Sequence, residues 1–93
     1  MKIAELYSTQ RNLRRKEQIK ELVKSIQNNE YIEPVLLSES EDGKVQVENG
    51  HHRVIAYYLS GRDVLKEDEY ILLNGDTGRI RICKIEKLMA LWC

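Results

Sequence analysis

The residues best equipped for chemistry form one run, Glu48-Asn49-Gly50-His51-His52-Arg53. It follows a segment with strand alternation, Val45 to Glu48, and opens a segment with helical spacing, His51 to Ser60. A strand, an Asn-Gly break and a helix start make an anion site. The first N–H groups of a helix have no partner within it, and the helix dipole adds about half a positive charge there. Gly50 lets a ligand approach the backbone with no Cβ in the way. Arg53 can grip a phosphate with two parallel hydrogen bonds, and His51 and His52 can donate near neutral charge. Cations on a first helical turn oppose the dipole by roughly 0.3–1 kcal/mol each when exposed, and a bound anion removes that conflict. The expected ligand is a phosphate, held by Asn49, Gly50, His51, His52 and Arg53. The plain alternative is a basic surface turn without a ligand, and the residues alone leave both open.

The elements around this turn read as follows. Lys2 to Tyr7 reads as a short strand with Ile3 and Leu6 inward, and Ser8 to Arg15 as a basic loop carrying Arg11, Arg14 and Arg15. Lys16 to Asn28 is the clearest helix, with Ile19, Leu22, Val23 and Ile26 at i, i+3, i+4 and i+7. Asn28-Asn29 ends it, because Asn tolerates the left-handed conformation. Pro34 precedes a strand at Val35 to Leu37, where proline is tolerated at the first position. Asp42-Gly43 is a hairpin signal joining that strand to Val45–Glu48. Gly61 stops the second helix. Glu69 to Leu73 and Arg79 to Ile85 read as strands joined by a turn over Asn74 to Gly78. Glu86 to Trp92 reads as a terminal helix laying Leu88, Leu91 and Trp92 on the core. Strands and helices mix without regular alternation, so the class is α+β or compact α/β.

The whole chain bounds the function. Its 93 residues imply one domain, 1–93, with a single modest core. Fifteen basic and fifteen acidic residues give no net charge. That argues against coating nucleic acid by bulk electrostatics, though a local basic patch remains allowed. No apolar run reaches membrane-spanning length and no signal peptide is visible, so a cytoplasmic protein without a membrane partner is expected. Cys83 and Cys93 form no Cys-x-x-Cys pair and read as free thiols, Cys83 packing in the core and Cys93 in a loose tail. The two histidines are adjacent and no thiol pair completes a zinc site, so no metal site is expected. No Walker or dinucleotide Gly-rich loop is present. Tyrosines that could stack a base are Tyr7, Tyr31, Tyr57, Tyr58 and Tyr70. Tyr57 and Tyr58 fit helix packing, whereas Tyr31, in the loop after the first helix, is harder to explain as core.

Three blocks carry a resemblance: Ile19 to Ile26, then Ile32-Glu33-Pro34-Val35, then Asn49-Gly50-His51-His52-Arg53 with Ala56 and Gly61. Their order and spacing, over roughly residues 3 to 73, resemble the ParB/sulfiredoxin superfamily. The resemblance implies a small single-domain α+β fold in which a mixed sheet carries helices. It places a nucleotide-phosphate site at the start of the second helix. The turn differs between branches of that superfamily. Partition proteins read Gly-Glu-Arg-Arg, sulfiredoxin reads Gly-Cys-His-Arg, and the free serine kinase branch, with ADP as phosphoryl donor, reads Gly-His-His-Arg. Gly50 to Arg53 match the last in full. Histidine at position 51 cannot perform the cysteine chemistry of sulfiredoxin.

The resemblance therefore implies a nucleotide ligand, ATP, ADP or CTP, with Mg2+ as its accompanying ion. His52 and Arg53 would hold phosphate oxygens, with His51 beside them. Ser25 matches a helix-one hydroxyl that contacts nucleotide in sulfiredoxin, while Gln18 and Glu21 stand where a Lys and a Ser would be. Phosphotransferase or nucleotide hydrolase activity would need a general base. Glu30 or Glu48 could serve by position, although Glu in such places is more often an exposed solubilising residue. The alternative is a non-enzymatic module from a plasmid or phage that binds DNA or a partner protein. Arg11, Arg14 and Arg15 would make that contact, in a segment similar to the arginine box of partition proteins but without its proline. A nuclease ranks last, for want of a carboxylate cluster spaced for two metals. Partition proteins continue into a helix-turn-helix and a dimerisation domain, and the serine kinases carry a substrate-binding portion; with 93 residues neither is expected here.

Overall fold

The computed structural model describes residues 1–10, 15–75 and 77–92. Five strands form one mixed sheet: β1 (Tyr7–Ser8), β2 (Val35–Glu39), β3 (Val45–Asn49), β4 (Tyr70–Asn74) and β5 (Cys83–Lys84). Their spatial order is β4-β2-β3-β1-β5. β2 and β3 make the antiparallel hairpin expected from Asp42-Gly43. β4 lies parallel to β2, and β1 lies parallel to β3 and antiparallel to β5. Three helices complete the fold: α1 (Lys16–Gln27), α2 (His51–Leu59) and α3 (Ile85–Trp92). The architecture is α+β, as the sequence implies.

β3 shows how the sheet divides the molecule. Val45 and Val47 enter the core with Val35 and Leu37 of β2, Ile19 of α1 and Val54 and Ile55 of α2. Gln46 and Glu48 alternate to the other face. Leu22, Val23 and Ile26 of α1 are half-buried against the core, and α1 packs on α2. Ser60, Gly61 and Arg62 close α2, with the Gly61 N–H donating to the Tyr58 carbonyl and the Arg62 N–H to that of Tyr57, at 3.0 Å each. This is the paired left-handed stop that glycine favours.

Two expectations change. The strand expected over Lys2 to Tyr7 is a 3-10 turn at Ile3–Glu5 followed by the two residues of β1. Ile3 and Leu6 are both fully buried. They are three apart, an odd spacing that a strand would split between faces and a helical turn brings together. The strand expected over Arg79 to Ile85 is reduced to Cys83–Lys84, and the turn from Asn74 does not make β4 and β5 neighbours: they are opposite edges of the sheet. Residues 77–82 instead cross the sheet as a strap. The Thr77 hydroxyl donates to Glu48 at 2.5 Å, Arg81 pairs with Asp42 at 3.1 Å, and the Ile82 N–H donates to the Ser8 carbonyl at 2.8 Å. α3 buries Ile85 and Leu88. The side chains of Leu91 and Trp92, and all of Cys93, lie outside the described residues. Cys83 is a free thiol half-buried against the core.

Candidate functional site

The turn from β3 into α2 is shaped by Gly50. Its φ of 105° and ψ of 29° are left-handed, a region costly for residues with a Cβ. A Cβ there would also stand 2.8 Å from Val35 Cγ1, 3.1 Å from Val35 Cβ and 3.2 Å from Arg53 Nε. The Gly50 carbonyl accepts the first helical bond, from the Val54 N–H at 3.0 Å. No side chain caps α2 and no acid occupies its first turn. The opening N–H groups therefore lack the oxygen that Ser, Thr or Asp supplies at most helix starts.

Each basic residue of the turn has a distinct role. His51 is 1% exposed. Its Nε2 accepts the Thr9 N–H at 3.1 Å. A backbone N–H can only donate, so Nε2 is unprotonated and Nδ1 carries the proton. That Nδ1 is buried and finds no partner among the described residues, which leaves a donor unsatisfied there at about 1–3 kcal/mol. Burial, then the charges of His52 and Arg79, push the His51 pKa down to about 4 against the opposing pull of Glu48. His52 is half-buried, and its Nε2 accepts the Arg15 N–H at a long 3.4 Å. Burial and then the Arg15 charge lower its pKa also. Arg53 turns Nη1 onto the carbonyls of Glu33 and Pro34, both at 2.9 Å. It staples the loop leaving α1 to the start of α2.

A hollow of about 430 Å³ opens beside this turn. Asn49, Gly50, His51, His52 and Arg53 line it, and so does Ser25 of α1. The six residues expected at a phosphate site are thus brought to one concavity. Gln10, Leu22, Ile32 and Glu33 line it as well, with Gln18 at its helix-one position and Tyr31, one of the tyrosines the sequence offered for stacking a base. Tyr31 is 84% exposed.

Other candidates lie elsewhere. Glu30 is exposed beyond the end of α1, its N–H donating to the Ser25 carbonyl at 2.9 Å, and does not line the hollow. Glu48 is only 6% exposed, a correction to the expected solubilising residue. It faces the strap on the far side of the sheet. Its Oε1 accepts from Ser38 at 2.5 Å, Gln46 at 2.8 Å and Thr77 at 2.5 Å, and Oε2 lies 3.3 Å from Arg79 Nε. Burial would raise its pKa, but the hydrogen bonds from Ser38, Thr77 and Gln46 and the Arg79 charge hold it below the usual value. A saturated carboxylate of that kind is a weak base. Of the basic segment, Arg15 is exposed, while Arg11 and Arg14 lie outside the described residues. No cluster of metal-binding side chains occurs among the described residues, and no helix among them is long and apolar enough to cross a membrane.

The family model for the ParB N-terminal domain matches residues 1–88. The chain belongs to the ParB N-terminal domain family. The match runs past the three blocks visible in sequence, through the strap and into α3. No curated protein matches the chain. Among solved structures it is similar to the C-terminally truncated chromosome-partitioning protein ParB from Caulobacter crescentus, complexed with CTP-gamma-S. The TM-score is 0.54 at 20% identity, over 96% of this chain and 47% of that one. At that identity the likeness is one of fold. This ParB N-terminal domain spans about half the length of the chain it resembles.

Proposed function

We propose that this ParB N-terminal domain binds a nucleoside di- or triphosphate, with the phosphates held at Asn49 to Arg53 and by Ser25 of α1. The observation that carries the reading is the uncapped start of α2 beside the buried Nδ1 of His51, unpaired among the described residues. The uncapped helix start borders a hollow large enough for a nucleotide, and His51 lines it. CTP is the first ligand to try, because the similar ParB structure holds CTP-gamma-S; ATP and ADP follow from the Gly-His-His-Arg turn. The reading is one of binding. Neither Glu30 nor Glu48 lines the hollow, so the phosphate turn has no adjacent candidate base among the two.

Titration calorimetry with CTP, ATP and ADP, with and without Mg2+, tests this. We expect a micromolar to millimolar dissociation constant for at least one. Arg53→Lys keeps the charge but loses the planar fork, and should weaken binding about tenfold or more. Arg53→Ala should also lower the melting temperature, because Nη1 holds two loop carbonyls. No heat and no thermal shift with any of the three nucleotides overturns the reading.

A further inference from the structure

Part of the hollow's lining is not accounted for by phosphate. The hollow follows α1 from Gln18 past Leu22 to Ser25, a rise of about 10 Å at 1.5 Å per residue. The loop that leaves α1 lines it too, through Tyr31, Ile32 and Glu33. Glu33 is exposed there, and a carboxylate repels phosphate oxygens. Beside it stands Tyr31, an aromatic ring 84% exposed. Among the described residues it makes no hydrogen bond or ring contact and takes no part in the core. Its neighbours Leu22 and Ile32 are half-buried apolar side chains facing the same space.

The loop that carries Tyr31 is held. Asn29 adopts a left-handed φ of 57°, and the Asn29 and Glu30 N–H groups donate back to Ile26 and Ser25 at 3.1 and 2.9 Å. On the far side, Arg53 grips Glu33 and Pro34. An exposed ring on a loop fixed at both ends is a platform that needs little ordering when a flat partner arrives. We propose that Tyr31 is the base-stacking residue of this site: the nucleobase lies on its ring against Leu22 and Ile32, with the phosphates at the start of α2. The inference rests on the nucleotide reading above. It assigns the base to the Tyr31 loop and makes the affinity of the site depend on a ring as well as on phosphate contacts.

Calorimetry on the wild type, Tyr31→Ala and Tyr31→Phe tests it, with CTP, ATP and inorganic tripolyphosphate as ligands. Tripolyphosphate has the charge and no base. Tyr31→Ala should weaken the better nucleotide by roughly tenfold or more, the range found for loss of one base–aromatic stack. Tyr31→Phe should stay within about twofold of wild type, and tripolyphosphate should bind all three proteins alike. An unchanged nucleotide affinity in Tyr31→Ala overturns the stacking role and leaves phosphate binding intact. An equal loss for tripolyphosphate overturns it too, since the ring would then act on the phosphates. If neither nucleotide nor tripolyphosphate binds the wild type, the nucleotide reading falls and this one with it. Because Tyr31 supports no packing, Tyr31→Ala should melt within a degree or two of wild type.

Discussion

Replacing Gly50 by alanine separates two effects that usually travel together. The first is conformational. At φ 105° a residue with a Cβ is strained by about 1–2 kcal/mol. The second is steric: the new methyl would sit 2.8 Å from Val35 Cγ1 and 3.2 Å from Arg53 Nε. Val35 is fully buried and cannot swing away, so overpacking adds about 1–3 kcal/mol. Gly50→Ala should therefore cost about 2–5 kcal/mol in all. Gly61 supplies the control within the same chain. Its φ of 94° is similar, but a Cβ there meets nothing within 4 Å, so Gly61→Ala should cost only the conformational part. Urea unfolding of both variants gives the steric part as a difference. The pair Gly50→Ala and Val35→Ala should then be less than additive by at least about 1 kcal/mol, because removing Cγ1 makes room for the new methyl. Equal losses for Gly50→Ala and Gly61→Ala would refute the close approach of β2 to the turn, and with it the account of why a glycine opens α2.

The remaining predictions concern the charged groups. The fold holds His51 neutral, with its pKa at about 4 instead of 6.5. The stability this contributes is complete above pH 6.5 and drains away as pH falls toward 4. Between pH 7.5 and 5 the loss should be about 2 kcal/mol, read by urea unfolding, and His51→Gln should flatten the profile over that range. A wild-type curve flat from pH 7.5 to 5 would contradict the buried neutral imidazole. Glu48→Ala should lower stability by about 2–4 kcal/mol, since it leaves Ser38 and Gln46 without their buried acceptor, yet leave the nucleotide affinity within twofold. Loss of binding at unchanged stability would instead place Glu48 in the site.

How much could be read beforehand depended on whether a pattern was local. The hairpin, α1, α2 and the Gly61 stop each rest on residues within one or two turns of each other, and the structure places them as read to within a residue or two. The Asn49 to Arg53 turn was visible for the same reason. What failed was tertiary. The strap from Thr77 spends its polar groups on Glu48 and Asp42, roughly thirty to forty residues back, so its apolar alternation at Ile80 and Ile82 resembles a strand without making a ladder. Glu48 looked like a surface acid because nothing adjacent announces Ser38 and Thr77. Thr9 holds His51 across 42 residues, a contact no spacing rule could suggest. Tyr31 was legible as an oddity, an aromatic without a core to join, but the hollow it lines was not.

The turn carries less charge in the fold than its sequence suggests. In sequence it holds three basic groups at the positive end of a helix, an arrangement the dipole opposes. In the fold that opposition is mostly gone before any ligand arrives. His51 and His52 are both held toward the neutral state, and Arg53 directs part of its fork at two carbonyls. A surplus of cations is therefore not what argues for an anion here. The stronger argument is a shortage of acceptors: an uncapped α2, a glycine that leaves its backbone bare, and a protonated Nδ1 buried with nothing to donate to among the described residues. A surface turn with no ligand would satisfy such groups with a Ser or Asp cap, worth about 1 kcal/mol. The chain forgoes that cap where α2 starts at the edge of a concave hollow, an arrangement that suits an acceptor coming from outside.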